Sequence, residues 1–177
     1  MLTAERLESL ILRHAIAHRV KELAAEIGRD YAGRGPVTMM VVLNGAMVFA
    51  ADLMRELDLP LEIDTLAVSS YAGTNSTGVL TFRARPKLPV RGRDILLVDD
   101  ILDTGFTLAK LSDCLRQEGA AAVKTCVLLD KQRKRHPQGL ARADYTAFRI
   151  PDCFVVGYGL DADEAWRNLP DILCVRG

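Results

Sequence analysis

Short apolar runs alternate along this chain with amphipathic stretches. Val37-Thr-Met-Met-Val-Val-Leu43 is rich in β-branched residues and leads into Asn44-Gly45, so it predicts a buried strand ending in a tight turn. Met47 to Leu57 then repeats its apolar positions at a helical period. Leu61 to Ser70 predicts a second strand, Val79 to Arg83 a returning one, and Asp94-Ile-Leu-Leu-Val98 a third that ends in acids. Phe106 to Gln117 predicts a helix, and Ala121 to Leu129 and Phe148 to Tyr158 complete the strands. Ahead of these, residues 5–30 carry Leu7, Leu10, Ile11, Val20, Leu23, Ala24 and Ile27 at helical spacing with charges between. Strands alternating with helices imply an α/β fold. Its mostly parallel, twisted sheet is flanked by helices, and its sites lie at the carboxyl ends of the strands.

Composition narrows the partners. The 177 residues suit one domain, 49% of them are hydrophobic, and Lys plus Arg balances Asp plus Glu at 23 each. A nucleic-acid binder needs a surplus of base on one face. The one basic run, Lys131 to Arg135, reads as a solvated turn. Small-molecule partners are therefore expected, and no nucleic acid. Cys114, Cys126, Cys153 and Cys174 form no C-x-x-C pair and sit in or beside apolar stretches, where a thiol packs as a small hydrophobe. No segment approaches the ~18 consecutive apolar residues of a membrane span, so a cytoplasmic protein without a membrane partner is expected.

Two apparent motifs fail on inspection. His14 and His18 stand one helical turn apart, but Ala15 occupies the place where a zinc peptidase carries Glu. Gly73 to Gly78 looks like a phosphate loop, yet Val79-Leu80 follows instead of the Lys-Ser/Thr pair such a loop requires.

The chemistry concentrates in Ile95-Leu-Leu-Val-Asp-Asp-Ile-Leu-Asp-Thr-Gly-Phe-Thr-Leu108, a buried strand turning into a helix. The turn holds three carboxylates and two threonines around Gly105. A helix amino end offers unpaired N–H groups and a positive dipole end, which attract phosphate. Gly105 lets backbone approach an anion, and Thr104 and Thr107 add hydroxyl donors. A helix cap needs one acid. Three together repel one another unless a cation or hydroxyls compensate.

Two acids followed by Asp-Thr-Gly-x-Thr resemble the phosphoribosyl pyrophosphate signature of type I phosphoribosyltransferases, and the likeness runs from about residue 15 to the C-terminus. It implies that fold, in a single domain. The core would span about residues 35–150, with a small hood built from the N-terminal residues and about 150–177. It implies that Asp99 and Asp100 hold the ribose hydroxyls, while Asp103, Thr104, Gly105, Phe106 and Thr107 wrap the 5-phosphate. Leu43-Asn44-Gly45-Ala46 is similar to the family's pyrophosphate loop. Many relatives have a basic residue where Asn44 stands, so here the backbone of Asn44 and Gly45 would donate. A non-proline cis peptide precedes this position in the family, a feature that residue types do not reveal. Ser70-Tyr71 and the loop after it resemble the mobile lid, which would exclude water from an oxocarbenium-like centre.

The later segments resemble the family's base site. Lys131 would donate to the exocyclic oxygen of a 6-oxopurine, Phe154 would stack on the ring, and the Val155 backbone would meet its Watson–Crick edge. Asp161, with Asp99 and Asp100, would contact Mg²⁺, and Arg167 would reach pyrophosphate. Lys131, Phe154 and Asp161 together narrow the resemblance to the 6-oxopurine branch. It implies purine salvage by Mg²⁺-dependent phosphoribosyl transfer to hypoxanthine or guanine. Asp103 would be the general acid/base, and the protein a homodimer or homotetramer. Two rivals share parts of the pattern. An RNA-binding attenuation regulator of this fold typically has Tyr in place of Asp103 and a basic face. A receiver domain has its paired acids after the first strand, without the Thr-Gly-x-Thr tail.

Overall fold

Why the apolar runs show so little alternation becomes plain in the computed structural model, which describes residues 6–70 and 80–176. Strand β2 (Val37–Leu43) is flanked by β3 (Leu61–Ser70) and β5 (Asp94–Leu102), and all three run parallel. With β4 (Leu80–Ala84), β6 (Ala122–Lys131) and β7 (Tyr145–Ile150) they form a six-stranded sheet of order β4-β3-β2-β5-β6-β7. Only β4, at one edge, pairs antiparallel. Central strands covered on both faces need apolar residues at every position. Successive side chains point to opposite faces, so each strand feeds two cores.

Met39, Val41, Leu96 and Val98 join Cys126 and Leu128 on one face, under Ile16, Val20, Leu23 and Ile27 of α1 (Arg13–Tyr31) and Phe49 and Leu53 of α2 (Met47–Glu56). Met40, Val42, Ile95 and Leu97 face the other way, under Leu108, Leu111 and Leu115 of α3 (Phe106–Gln117). Each fully buried Leu contributes about 1.5–3 kcal/mol over exposure. Truncating Leu96, which is wholly buried, would cost about 2–5 kcal/mol, because the void adds to the lost transfer energy.

Two readings of the pattern need correction. Residues 7–11 are strand β1 (Leu7–Ile11), not the first turns of a helix, because they pair antiparallel with β9 (Ile172–Val175) near the far end of the chain. The helix begins at Arg13, whose N–H donates to Asp171 Oδ1 at 2.7 Å. The run Phe148 to Tyr158 is not one strand either. Pro151, which lacks an N–H, separates β7 in the main sheet from β8 (Val155–Val156) in a second, three-stranded sheet of order β1-β9-β8. Strand β9 went unread in the sequence. Val155, Tyr158, Leu160 and Ile172 belong to the same core as α1 and α2, so the small sheet lies on that side of the main one. Tyr158 ties it down, its hydroxyl donating to Asp52 Oδ2 of α2 at 2.6 Å.

All four cysteines are free thiols, and burial pushes that of Cys126 far up. His14 and His18 are both exposed. Among the described residues, no helix is long and apolar enough to cross a membrane.

Candidate active site

Four chain segments meet where β2, β5 and β6 end, and each arrives there for a local reason. Strand β2 ends at a cis peptide between Leu43 and Asn44, followed by Gly45. Strand β5 carries Asp99 and Asp100 near its end, and Asp103 follows just past it. Gly105, at φ 76°, then turns the chain into α3. A side chain on Gly105 would strike the backbone of Leu140, so both conformation and space require glycine. A Cβ on Gly45 would coincide with the Asp100 carboxylate, and one on Gly159 would strike the Gly45 carbonyl. Glycine thus lets three segments nest at the carboxylate pair.

Asp99 is 7% exposed, and its Oδ1 accepts the Asp100 N–H at 3.0 Å. Burial, and then the charge of Asp100, holds the Asp99 carboxyl well above the usual carboxylate range. Burial raises Asp100 too, while hydrogen bonds and the Arg167 charge pull the other way. Among the described residues neither carboxylate forms an ion pair within 4 Å. The pair is therefore a negative site short of a positive or hydroxyl partner, which suits a ribose diol or a cation.

Helix α3 opens beside them with no acidic residue in its first turn and no side-chain cap. Its first N–H groups are left for an anion, with Thr104 and Thr107 alongside. The weak approach of the Phe106 N–H to Thr104 Oγ1, at 3.4 Å, satisfies little of this.

Asp103 faces two cations. Lys131 Nζ lies 3.6 Å from its Oδ2, and Arg133 Nη1 lies 3.1 Å from its Oδ1. Arg133 is close enough to pair but is not aligned as a hydrogen-bond donor, so Oδ1 has no hydrogen-bond partner among the described residues. That oxygen is buried against the Arg133 guanidinium. Lys131 ends β6 and is 8% exposed, so its ammonium is a donor held in a largely dry place.

The remaining expected residues divide. Phe154 is 54% exposed, a large ring face uncovered at the start of β8, and Val155 beside it is buried with its backbone in the small sheet. Asp161 is engaged already: its Oδ1 meets Arg167 Nη2 at 2.8 Å and its Oδ2 accepts the Glu164 N–H at 2.9 Å. Arg167 also donates to the Gly159 carbonyl and to Glu164, each at 2.8 Å. Asp161 is not brought together with Asp99 and Asp100. Among the described residues no group of three His, Cys, Asp or Glu side chains is placed to hold a metal. Ser70 ends β3, and Tyr71 with the loop to Gly78 lies outside the described residues.

The run Lys131–Arg135 is a solvated turn only in its middle: Gln132, Arg133 and Lys134 are exposed, while Lys131 and Arg135 at its ends are not. Arg133 faces Asp103, and the Arg135 side chain is only 18% exposed. Two basic residues spaced by two, just past a strand that ends in lysine, were the one signal for this. A cavity of about 540 Å³ opens beside Lys131, Arg133 and Arg135. Another, of about 660 Å³, lies at β7 among Arg142, Thr146 and Arg149, and none of the expected site residues lines it. The carboxylates and the lysine, rather than the roomier cavity, mark the chemistry.

Residues 8–163 match the model of the phosphoribosyl transferase domain family. The chain is 39% identical over 176 residues to a hypoxanthine-guanine phosphoribosyltransferase of Aquifex aeolicus, covering 99% of this chain and 98% of that protein. It is 43% identical over 164 residues to the enzyme of that description from Bacillus subtilis, covering 92% and 89%. A solved hypoxanthine phosphoribosyltransferase from Trypanosoma cruzi, in a ternary complex with substrates, superposes with a TM-score of 0.91 at 37% identity, over 97% of each chain.

Proposed function

This chain belongs to the phosphoribosyl transferase domain family, and from that premise we infer that it is a hypoxanthine-guanine phosphoribosyltransferase of purine salvage. It joins a 6-oxopurine to the ribose of phosphoribosyl pyrophosphate and releases pyrophosphate. The observation that carries the base assignment is the Asp103 carboxylate standing 3.6 Å from the Lys131 ammonium. Guanine and hypoxanthine present N7 and O6 side by side on one edge. Lys131 donates to O6, and the Asp103 carboxylate takes or holds the proton at N7.

The chain's other residues act around that pair. Asp99 and Asp100 accept hydrogen bonds from the ribose hydroxyls. The N–H groups that open α3, with Thr104 and Thr107, bind the 5-phosphate. The backbone of Asn44 and Gly45 donates to pyrophosphate. Phe154 stacks on the purine while the Val155 backbone meets its far edge, and the small sheet serves as a hood. As the bond to pyrophosphate stretches, positive charge grows on the anomeric carbon, and N9 of the base closes on it.

The donor set fits Mg²⁺, a hard cation that takes one or two carboxylates and fills its shell with phosphate oxygens and water. Asp99 and Asp100, raised by burial and lacking a cation, would meet it through the ribose. Asp161 would meet it after exchanging its bond to Arg167, which then turns to pyrophosphate. Mg²⁺ held there would offset the charge of the leaving group. The resemblance also supports a cytoplasmic enzyme of two or four copies.

A spectrophotometric assay tests this with hypoxanthine, guanine, xanthine and adenine in turn, plus phosphoribosyl pyrophosphate and Mg²⁺. Turnover is expected with the first two and almost none with adenine. Adenine turnover equal to that of hypoxanthine would overturn the base assignment.

A further inference from the structure

Arg135 sits between the two groups that meet the purine. Its Nη1 donates to the carbonyls of Leu102 at 3.1 Å, of Lys131 at 2.9 Å and, closely, of Asp103. Its Nη2 pairs with the Asp130 carboxylate, and its Nε donates to the Ala141 carbonyl at 3.3 Å. Asp130 and Arg135 are both largely buried, at 12% and 18% side-chain exposure. A guanidinium carries five N–H donors in a rigid planar fork, and here every nitrogen is engaged.

The sheet holds Lys131 against Ile150 of β7 but does not tie it to Asp103. The ladder between β5 and β6 runs out at Leu102↔Asp130, one residue short of both Asp103 and Lys131. Past that point Arg135 is the tie that reaches both strand ends, and it grips the carbonyls of the two functional residues themselves. The phosphate-facing half of the loop has its own anchors. The His136 N–H donates to the Thr104 carbonyl at 2.9 Å, and the Leu140 N–H donates to that of Gly105 at 2.9 Å.

We propose that Arg135 is a positioning residue that sets the spacing of the Asp103 carboxylate and the Lys131 ammonium, and so both the rate and the choice of base. The proposal rests on the transfer reaction assigned above. It separates two functions of one loop: Arg135 governs the base-facing end, while His136 and Leu140 govern the phosphate-facing end.

Arg135→Lys tests it. Lysine keeps the charge, but its three donors sit on one atom and cannot reach Ala141, Asp130 and the three carbonyls together. A misplacement of about 1 Å in such a constellation costs about a hundredfold in rate. The variant is expected to lose about tenfold to a hundredfold in kcat, with the KM for phosphoribosyl pyrophosphate within about threefold of wild type. Its preference for hypoxanthine over adenine is expected to shrink by about tenfold, because the donor is no longer held where O6 arrives. A role in stability alone would lower activity only in step with the folded fraction, would act equally on both bases and would leave the preference intact.

Folded fraction is read by circular dichroism on the same samples. Should Arg135→Ala fail to fold, Arg135→Lys and Arg135→Gln carry the measurement. An Arg135→Lys enzyme with wild-type kcat, or one that loses activity with an unchanged base preference, overturns the positioning role and leaves the transfer reaction standing. Wild-type protein inactive on every purine would overturn both.

Discussion

Asp99→Asn should make the free protein more stable while abolishing its use of phosphoribosyl pyrophosphate. Asp99 is buried beside the half-buried Asp100, neither is ion-paired among the described residues, and the Asp99 carboxyl is held well above its usual range by burial and by its neighbour's charge. A carboxyl whose folded-state pKa is raised favours folding only while protonated. Its contribution is fully present below the unfolded value of 3.8 and is lost as pH rises through the raised one. At neutral pH the folded wild type therefore carries a cost that asparagine avoids. The asparagine carbonyl can still accept the Asp100 N–H, which Asp99 Oδ1 accepts at 3.0 Å.

Relieving such a buried, poorly compensated group is worth about 1–3 kcal/mol. For a chain of this size each kcal/mol moves Tm by about 2–4 °C, so the variant should melt about 2–12 °C higher at pH 8. Thermal and urea denaturation of both proteins, in buffer with chelator and without substrate, measures this at pH 4 and pH 8. The gap should be near zero at pH 4 and open as pH rises. Adding phosphoribosyl pyrophosphate with Mg²⁺ should raise the Tm of the wild type but not of Asp99→Asn, since ligand stabilises only the state that binds it. A variant less stable than wild type at pH 8, or a gap that does not change with pH, would refute the reasoning.

Other substitutions separate the parts of the site. Asp103→Asn should keep phosphoribosyl pyrophosphate binding and slow turnover by ~10²–10⁴, read from single-turnover rates; near-normal turnover would remove Asp103 from the role of acid/base. Lys131→Met should raise the KM for hypoxanthine and guanine and narrow a preference over adenine that starts at about 10⁴, without making adenine a good substrate. Competition assays on both proteins check it. Gly45→Ala places a methyl group where the Asp100 carboxylate lies, so it should fold yet bind phosphoribosyl pyrophosphate at least about tenfold more weakly by calorimetry. Unchanged affinity would show that Asp100 can move aside at no cost to the site.

Much of this protein was legible in its sequence because the deciding interactions are local. Period-2 and period-3.6 patterns reflect backbone geometry over a few residues, so β2, β3, β5, β6 and the helix Phe106–Gln117 could be read within a residue or two at most boundaries. The anion-binding turn was equally legible. Asp99 to Thr107 lies within nine consecutive residues, and a helix amino end after a strand is a short-range structure.

What the sequence could not decide depended on partners far along the chain. Leu7, Leu10 and Ile11 suit a helix by spacing and form a strand only because residues 172–175 lie alongside. Arg135 looks like any surface arginine until the ends of β5 and β6 surround it with carbonyls that need a donor. Gly45 is an ordinary turn glycine until Asp100, 55 positions later, occupies the space of its missing side chain. Which face a residue presents follows from its own backbone, but what that face meets is chosen by the packing of the whole chain. A buried donor, carboxylate or cavity exists only once that packing has formed.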